Sequence, residues 1–203
     1  MLRLIPLYLK KQIFVSAFFF LCLSFSFASD TIDVDQDLLN ALKQTNLDSS
    51  EDVKFNAFLW LNIMDHNIKK YFPDEKKRQQ FLKLVYQEAS TAGLPPELVL
   101  AVIHTESGFK RTALSRAGAL GYMQIMHFWL EELDRPDDNL FNTQTNLRFG
   151  CTILAHYLKI EKGNLNRALG RYNGSLGRMK YPNKVLNYWR HYWYYGEFDK
   201  LKY

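Results

Sequence analysis

The chain has little cysteine: two residues in 203, Cys22 and Cys151. A small secreted scaffold held together by disulfides is therefore excluded. Six prolines and ten glycines are too few for a collagen-like or low-complexity chain, and no internal repeat or flexible linker interrupts the sequence. The five histidines, His66, His104, His127, His156 and His191, show no ligand spacing and no His-Glu-x-x-His, so neither a metal nor an organic cofactor is expected. A glycine-rich phosphate loop and a Ser/His/Asp signature are also missing. Positive charge exceeds negative by only five. Three of those five charges, Arg3, Lys10 and Lys11, precede the first acidic residue. Without a clustered basic face, a nucleic-acid partner is not expected.

Long apolar runs are as scarce. The one in the chain, Ile13 to Phe27, spans 15 residues, short of the ~20 that a membrane-crossing helix needs. It follows a basic stretch. It ends in Ser26-Phe27-Ala28, with small residues at the −3 and −1 positions of a cleavage site. That is the layout of a secretory signal peptide over residues 1–28; an uncleaved signal anchor is the other reading. Phe19-Phe20-Leu21 before Cys22 lacks the small residues of a lipoprotein site. Cleavage after Ala28 leaves 175 of the 203 residues and lowers the net charge from +5 to +2. That length suffices for one domain with a substantial core. The expected product is exported, to the periplasm or the cell surface, with no stable membrane span.

Residues 29–52 form an acidic lead-in, and residues 53–203 the domain proper. Apolar residues at helical spacing predict a helix through Val53, Ala57, Trp60, Leu61, Met64 and Ile68, which Ser50 would cap. A second starts after Pro73, with its stripe at Phe81, Leu82, Val85, Tyr86 and Ala89, and Gly93 ends it. On it, Lys76-Lys77-Arg78 reads as a solvated face. Helices at Thr145 to Lys159 and Leu165 to Tyr172 follow. In the first of these, Cys151 is a small core residue. Near the end, Val185, Trp189 and Tyr192 fall on one stripe and read as core. Trp193 and Tyr194 are open between core and surface.

The most informative stretch is Glu97 to Trp129. Pro96 suits a first helical turn, where its missing N–H costs nothing. Leu98, Val99, Val102 and Ile103 then mark one face. Glu106 lies seven residues after Val99, four after Val102 and three after Ile103, so it projects from that same apolar face. Burial disfavours the charged form of a carboxyl and raises its pKa, which suits a general acid near neutral pH. Periodicity alone favours a carboxylate paired with a buried arginine, or a solvated one just past the stripe, since ion-pair networks also perturb carboxylates. Glycosidic hydrolysis usually needs two carboxylates. Glu131, Glu132, Asp134, Asp137 and Asp138 lie in a polar stretch, where exposure is the default.

Glu106-Ser107, then Ala113 to Ala119, then Gly121-Tyr122-Met123-Gln124-Ile125-Met126, resembles the core motif of the soluble lytic transglycosylases. Arg171-Tyr172-Asn173-Gly174 is similar to that family's Ala-Tyr-Asn-Ala-Gly, and Tyr181 to Leu186 to its later Tyr-Val-x-x-Val-Leu. The three segments occur in the family's order between about residues 80 and 195. The resemblance implies an all-α, lysozyme-like domain of the goose-lysozyme and lytic transglycosylase type, acting on peptidoglycan glycan strands. It implies Glu106 as the sole catalytic acid and base, forming a 1,6-anhydromuramoyl product. It also implies substrate contacts from Ser107, Ser115, Tyr122, Met123, Gln124, Tyr172, Asn173 and Tyr181. Gly118, Ala119 and Gly121 would let a sugar approach the backbone. Core packing is the alternative for Tyr122 and Met123. The chain departs from the family at Tyr122, usually leucine, at His127, usually proline, at Arg171 and Ser175, usually alanine, and at Pro182, usually valine. Two other functions remain open: a muramidase on the same fold, and a wall-binding protein without turnover.

Overall fold

The computed structural model describes residues 49–132 and 134–194. The expected signal peptide, most of the acidic lead-in, and the aromatic tail residues Tyr195 and Phe198 lie outside the described residues. The order is α1 (Ser49–Ile68), α2 (Glu75–Thr91), α3 (Pro96–Glu106), a hairpin of β1 (Ala119–Leu120) and β2 (Ile125–Met126), α4 (Phe128–Glu132), α5 (Thr143–Ile160), α6 (Leu165–Tyr172) and α7 (Lys180–Tyr188). A π-helical turn, Trp189–Trp193, continues α7. The strands pair antiparallel, Ala119 opposite Met126 and Leu120 opposite Ile125. Among the described residues, no helix is long and apolar enough to cross a membrane.

Helix α3 is the axis of the core. Leu98, Val99, Leu100, Ala101, Val102 and Ile103 are all buried. The sequence marks only one apolar face, at Leu98, Val99, Val102 and Ile103. The helix is covered all round because α2, α7 and the π-helical turn pack against it from different sides. Pro96 occupies its first turn. Asp74, Asn142 and Asn164 cap α2, α5 and α6 by accepting from Lys77, Thr145 and Arg167 backbone N–H groups.

Two ion pairs knit this bundle together. Arg78 sits in α2, 5% exposed. Its Nε and Nη2 donate to Asp65 Oδ1 and Oδ2 at 2.7 and 2.8 Å. Its Nη1 donates to the carbonyls of Phe72 and Pro73. This corrects the reading of Lys76-Lys77-Arg78 as one solvated face: the two lysines are exposed, but Arg78 fastens α2 to α1. Glu88 is also buried in α2, and accepts from Gln144 and Arg148 of α5.

The end of the chain supplies a second correction. Val185, Trp189 and Trp193 are buried, whereas Tyr192 is 46% exposed. Regular α-helical spacing favours Tyr192 beside Trp189. The wider π turn advances less per residue, so a side chain four positions after Trp189 returns to the core face. Trp193 thus takes the inner place, against Phe109 at 5.2 Å between ring centroids. Cys151 is buried as expected, and burial pushes its thiol pKa up. It is a free cysteine.

Candidate active site

Glu106 is the last residue of α3, at the point where the buried axis reaches an open cleft. The cleft has a volume of about 400 Å³. Thr105, Glu106, Asn173, Ser175, Arg178, Lys180, Tyr181 and Lys184 line it. Among these described lining residues Glu106 is the sole carboxylate. The acids after the hairpin are elsewhere: Glu131, Glu132, Asp134 and Asp137 are exposed, and Asp138 is paired with Arg135 at 2.6 Å.

The core behind Glu106 strips water from its carboxyl and pushes the pKa up to about 7. Two groups oppose this and pull it down: the Tyr181 hydroxyl, which donates to Oε1 at 2.6 Å, and the nearby Lys184 ammonium. Neither reading that competed at the sequence level applies. Among the described residues no ion pair with an arginine holds Glu106, and its carboxyl is not freely solvated. Such a group gives up or accepts a proton near neutral pH.

Tyr181 comes from the first turn of α7, and α7 packs directly on α3. Tyr172, at the end of α6, donates to the Met123 carbonyl at 2.8 Å. Burial raises both phenol pKa values well above the ordinary tyrosine value, and the Glu106 charge adds to the effect. Both hydroxyls therefore remain donors. Asn173 caps α6 at the cleft, with its Oδ1 accepting from Ser175 Oγ at 3.1 Å.

The remaining residues of the Glu-Ser and Gly-x-Met-Gln segments hold the loop. Ser107 donates its hydroxyl to the Ile103 carbonyl at 3.1 Å, closing the end of α3. Ser115 Oγ accepts from the Ala119 N–H at 2.9 Å, in the turn before β1. Gln124 donates its amide to the carbonyls of Gly121 and Ala113 at 2.9 and 3.2 Å, so the expected sugar donor is engaged within the loop and only its amide oxygen remains. Met123 is fully buried and cannot pack on a sugar face. Its sulfur fills the space over Gly150, where an added Cβ would meet Sδ at 2.3 Å. Tyr122 is 5% exposed, with its ring 4.8 Å from that of Phe81, and lines a different groove with Arg111. For both residues the core alternative holds, because the hairpin folds back against α2 and α5. Gly121 likewise serves packing. A Cβ there would lie 2.4 Å from Asn146 Nδ2 and 2.6 Å from the Leu140 carbonyl oxygen. The close approach is protein on protein rather than sugar on protein.

Asn146 is the clamp that sequence reasoning missed. It is 1% exposed in α5. It accepts from the Met123 N–H at 2.8 Å and donates to the Leu120 and Leu140 carbonyls at 2.9 Å each. The signal was present, since an amide shares a helix face with Phe149, Gly150 and Ile153. His104 was missed as well. Its Nε2 is 2.8 Å from the Tyr71 hydroxyl, and Tyr188 stacks on the ring at 3.6 Å. Burial, with Lys70 and Lys184 adding to it, lowers its pKa to about 4, so the ring is neutral at neutral pH. Among the described residues no group of histidines, cysteines and acids is placed to hold a metal ion.

The Transglycosylase SLT domain family matches residues 83–192, from α2 into the π-helical turn. The chain belongs to this family. That match, with the helical architecture, bears out the all-α, lysozyme-like fold class. A relative from Cronobacter sakazakii, named membrane-bound lytic murein transglycosylase C, is 27% identical over 153 residues, covering 67% of this chain and 41% of that protein. The protein of the same name from Yersinia pestis is 30% identical over 119 residues, covering 51% and 33%. A solved structure of an inactive mutant of the lytic transglycosylase Slt from Pseudomonas aeruginosa is similar at 28% identity and a TM-score of 0.43, covering 48% of this chain and 17% of that one. The chain thus spans about a third to two fifths of the length of the curated relatives it matches. Glu106 and the expected substrate-contact residues, from Ser107 to Tyr181, fall inside the matched SLT domain.

Proposed function

We propose that this SLT domain is a peptidoglycan lytic transglycosylase, with Glu106 acting first as acid and then as base. The observation that carries the reading is a single carboxyl, raised to a pKa of about 7, at the floor of a cleft whose other described residues include no second acid. A two-carboxylate hydrolysis has no partner group there.

In the proposed reaction Glu106 gives its proton to the oxygen linking N-acetylmuramic acid to N-acetylglucosamine. The C1–O bond breaks, and the carbonyl oxygen of the muramic acid's own N-acetyl group bonds to C1. The Glu106 carboxylate then takes the proton of the C6 hydroxyl. That oxygen displaces the acetamido oxygen from C1 and closes a 1,6-anhydro ring. Glu106 ends protonated and no water is consumed. A pKa near the working pH suits both halves, since the proton must leave and return. Tyr181 orients the carboxyl and favours its ionised form for the second half. Asn173 and Ser175 offer polar groups to the sugar on the cleft wall.

The proposal includes export by the leader at residues 1–28 and action in the cell envelope, in keeping with the two relatives being named membrane-bound lytic murein transglycosylases. The test is release of soluble muropeptides from purified peptidoglycan. Glu106→Gln, which keeps the shape and accepts the Tyr181 hydrogen bond, is expected to abolish release. Undiminished release by that variant would overturn the assignment.

A further inference from the structure

The cleft holds three cations for its single acid: Arg178, Lys180 and Lys184. Lys184 is partly occupied, reaching the Thr105 carbonyl at 3.4 Å and the Tyr188 ring at 5.9 Å. Arg178 and Lys180 are exposed. Neither side chain has a hydrogen bond or ion pair among those of the described residues. Five other arginines, Arg78, Arg135, Arg148, Arg167 and Arg171, are each engaged with a carboxylate. Arg178 lies between α6 and α7, and Lys180 opens α7 one residue before Tyr181, whose hydroxyl reaches Glu106. Their charge therefore lies on the wall of the cleft that Glu106 enters.

The sugars and their N-acetyl groups are neutral and give a cation no counter-charge. The muramic acid differs from its neighbour by a lactyl arm on C3. That arm ends in a carboxylate when bare. When it carries a peptide, the peptide supplies carboxylates instead. If Glu106 works at C1 of this sugar, the arm of the same ring projects a few ångströms away, within reach of cations on the cleft rim.

We propose that Arg178 and Lys180 form a carboxylate-binding rim that recognises the acidic lactyl arm of the muramic acid, bare or peptide-bearing, and so sets which sugar occupies the position next to Glu106. This rests on the lytic reading above and deepens it. Flexible exposed cations match such a ligand, because carboxylates on a mobile arm need charge more than fixed geometry.

The test is binding rather than turnover, so that it stands apart from the lytic reading. The Glu106→Gln protein is titrated with two probes: peptide-bearing glycan strands, and strands stripped of peptide, whose lactyl carboxylates are free. The additional pair Arg178→Ala/Lys180→Ala is expected to weaken binding to at least one of them by about three- to tenfold, the range of two partly exposed ion pairs. It should also reduce the loss of affinity on raising salt. A loss confined to peptide-bearing strands assigns the rim to peptide carboxylates, and one confined to stripped strands assigns it to the lactyl carboxylate. Arg178→Lys/Lys180→Arg should restore affinity. A charge-matched control, Lys159→Ala/Lys162→Ala, lies in the last turn of α5 and the turn that follows it, outside the residues lining the cleft, and should bind like the parent. Unchanged affinity of the Arg178→Ala/Lys180→Ala protein for both probes, or an equal loss in the control, would overturn the proposal. Absence of cleavage by the native chain, with the binding difference intact, would count against the lytic reading alone.

Discussion

Replacing Glu106 with glutamine should stabilise the protein, and only above mildly acidic pH. In the folded protein the carboxyl has a pKa of about 7, against 4.5 for an ordinary glutamate. Between those values the folded state keeps a proton that the unfolded chain has released. Folding stability from this group is therefore complete below about pH 4.5 and is lost as pH rises through about 7. The full shift corresponds to about 3 kcal/mol at 1.4 kcal/mol per pH unit. Because the carboxyl faces an open cleft, solvent screening brings the expectation down to about 2 kcal/mol. Glutamine never ionises and accepts the same Tyr181 hydrogen bond, so it avoids this cost. Thermal unfolding of both proteins from pH 4 to 8 isolates the effect, since every other titrating group is common to the two. The variant should melt with the wild type near pH 4 and roughly 4–8 °C above it at pH 8. A difference that stays constant over this range would mean an ordinary carboxyl, and the reasoning from burial would fail.

Four further outcomes are expected. The rate of glycan cleavage should fall as pH rises above about 7, as the proton-donating form of Glu106 is lost; a rate that keeps rising to pH 9 would contradict an acid role. Tyr181→Phe removes a donor that favours the ionised carboxyl, so the alkaline limb of that profile should move up by about one pH unit; an unmoved limb would show that the contact is idle. Asn146→Ala strands the Met123 N–H and two carbonyls in a buried setting and should cost roughly 2–4 kcal/mol in urea unfolding; a loss under about 1 kcal/mol would remove Asn146 from its role as clamp. Gly150→Ala sets a methyl group 2.3 Å from Met123 Sδ and 2.8 Å from its Cβ, so a simple rotamer change is no escape. It should cost about 1–3 kcal/mol and, by moving the carbonyl that holds Tyr172, reduce cleavage as well; unchanged stability would show that the loop has slack.

The acid was legible because a periodicity and a motif coincide on it. Glu106 lies on the apolar face of α3, and it begins the Glu-Ser segment that the family repeats. Tyr172, Asn173 and Tyr181 were legible only through resemblance, since nothing in their local spacing points toward a residue 66 or more positions earlier in the chain. Met123, Tyr122 and Gly121 read as sugar contacts because small and polarisable residues serve both a cleft and a tightly folded loop. Only the positions of Asn146 and Gly150, in a helix that comes later, decide between the two. Arg78 was misread because its partner Asp65 lies on another helix, and single-helix periodicity carries no information about ion pairs between helices. Trp193 displaced Tyr192 because a π turn changes the residue spacing, and a run of tryptophan and tyrosine fits either register.

The central claim is a carboxyl that cuts the strand without water. Mass spectrometry of purified peptidoglycan digested by the chain tests it most directly. The account predicts muropeptides ending in 1,6-anhydro-muramic acid, each one water lighter than its hydrolytic counterpart, and none from Glu106→Gln. Products with reducing muramic acid ends would contradict it, because water would then have attacked C1 and a second activating group would have to exist.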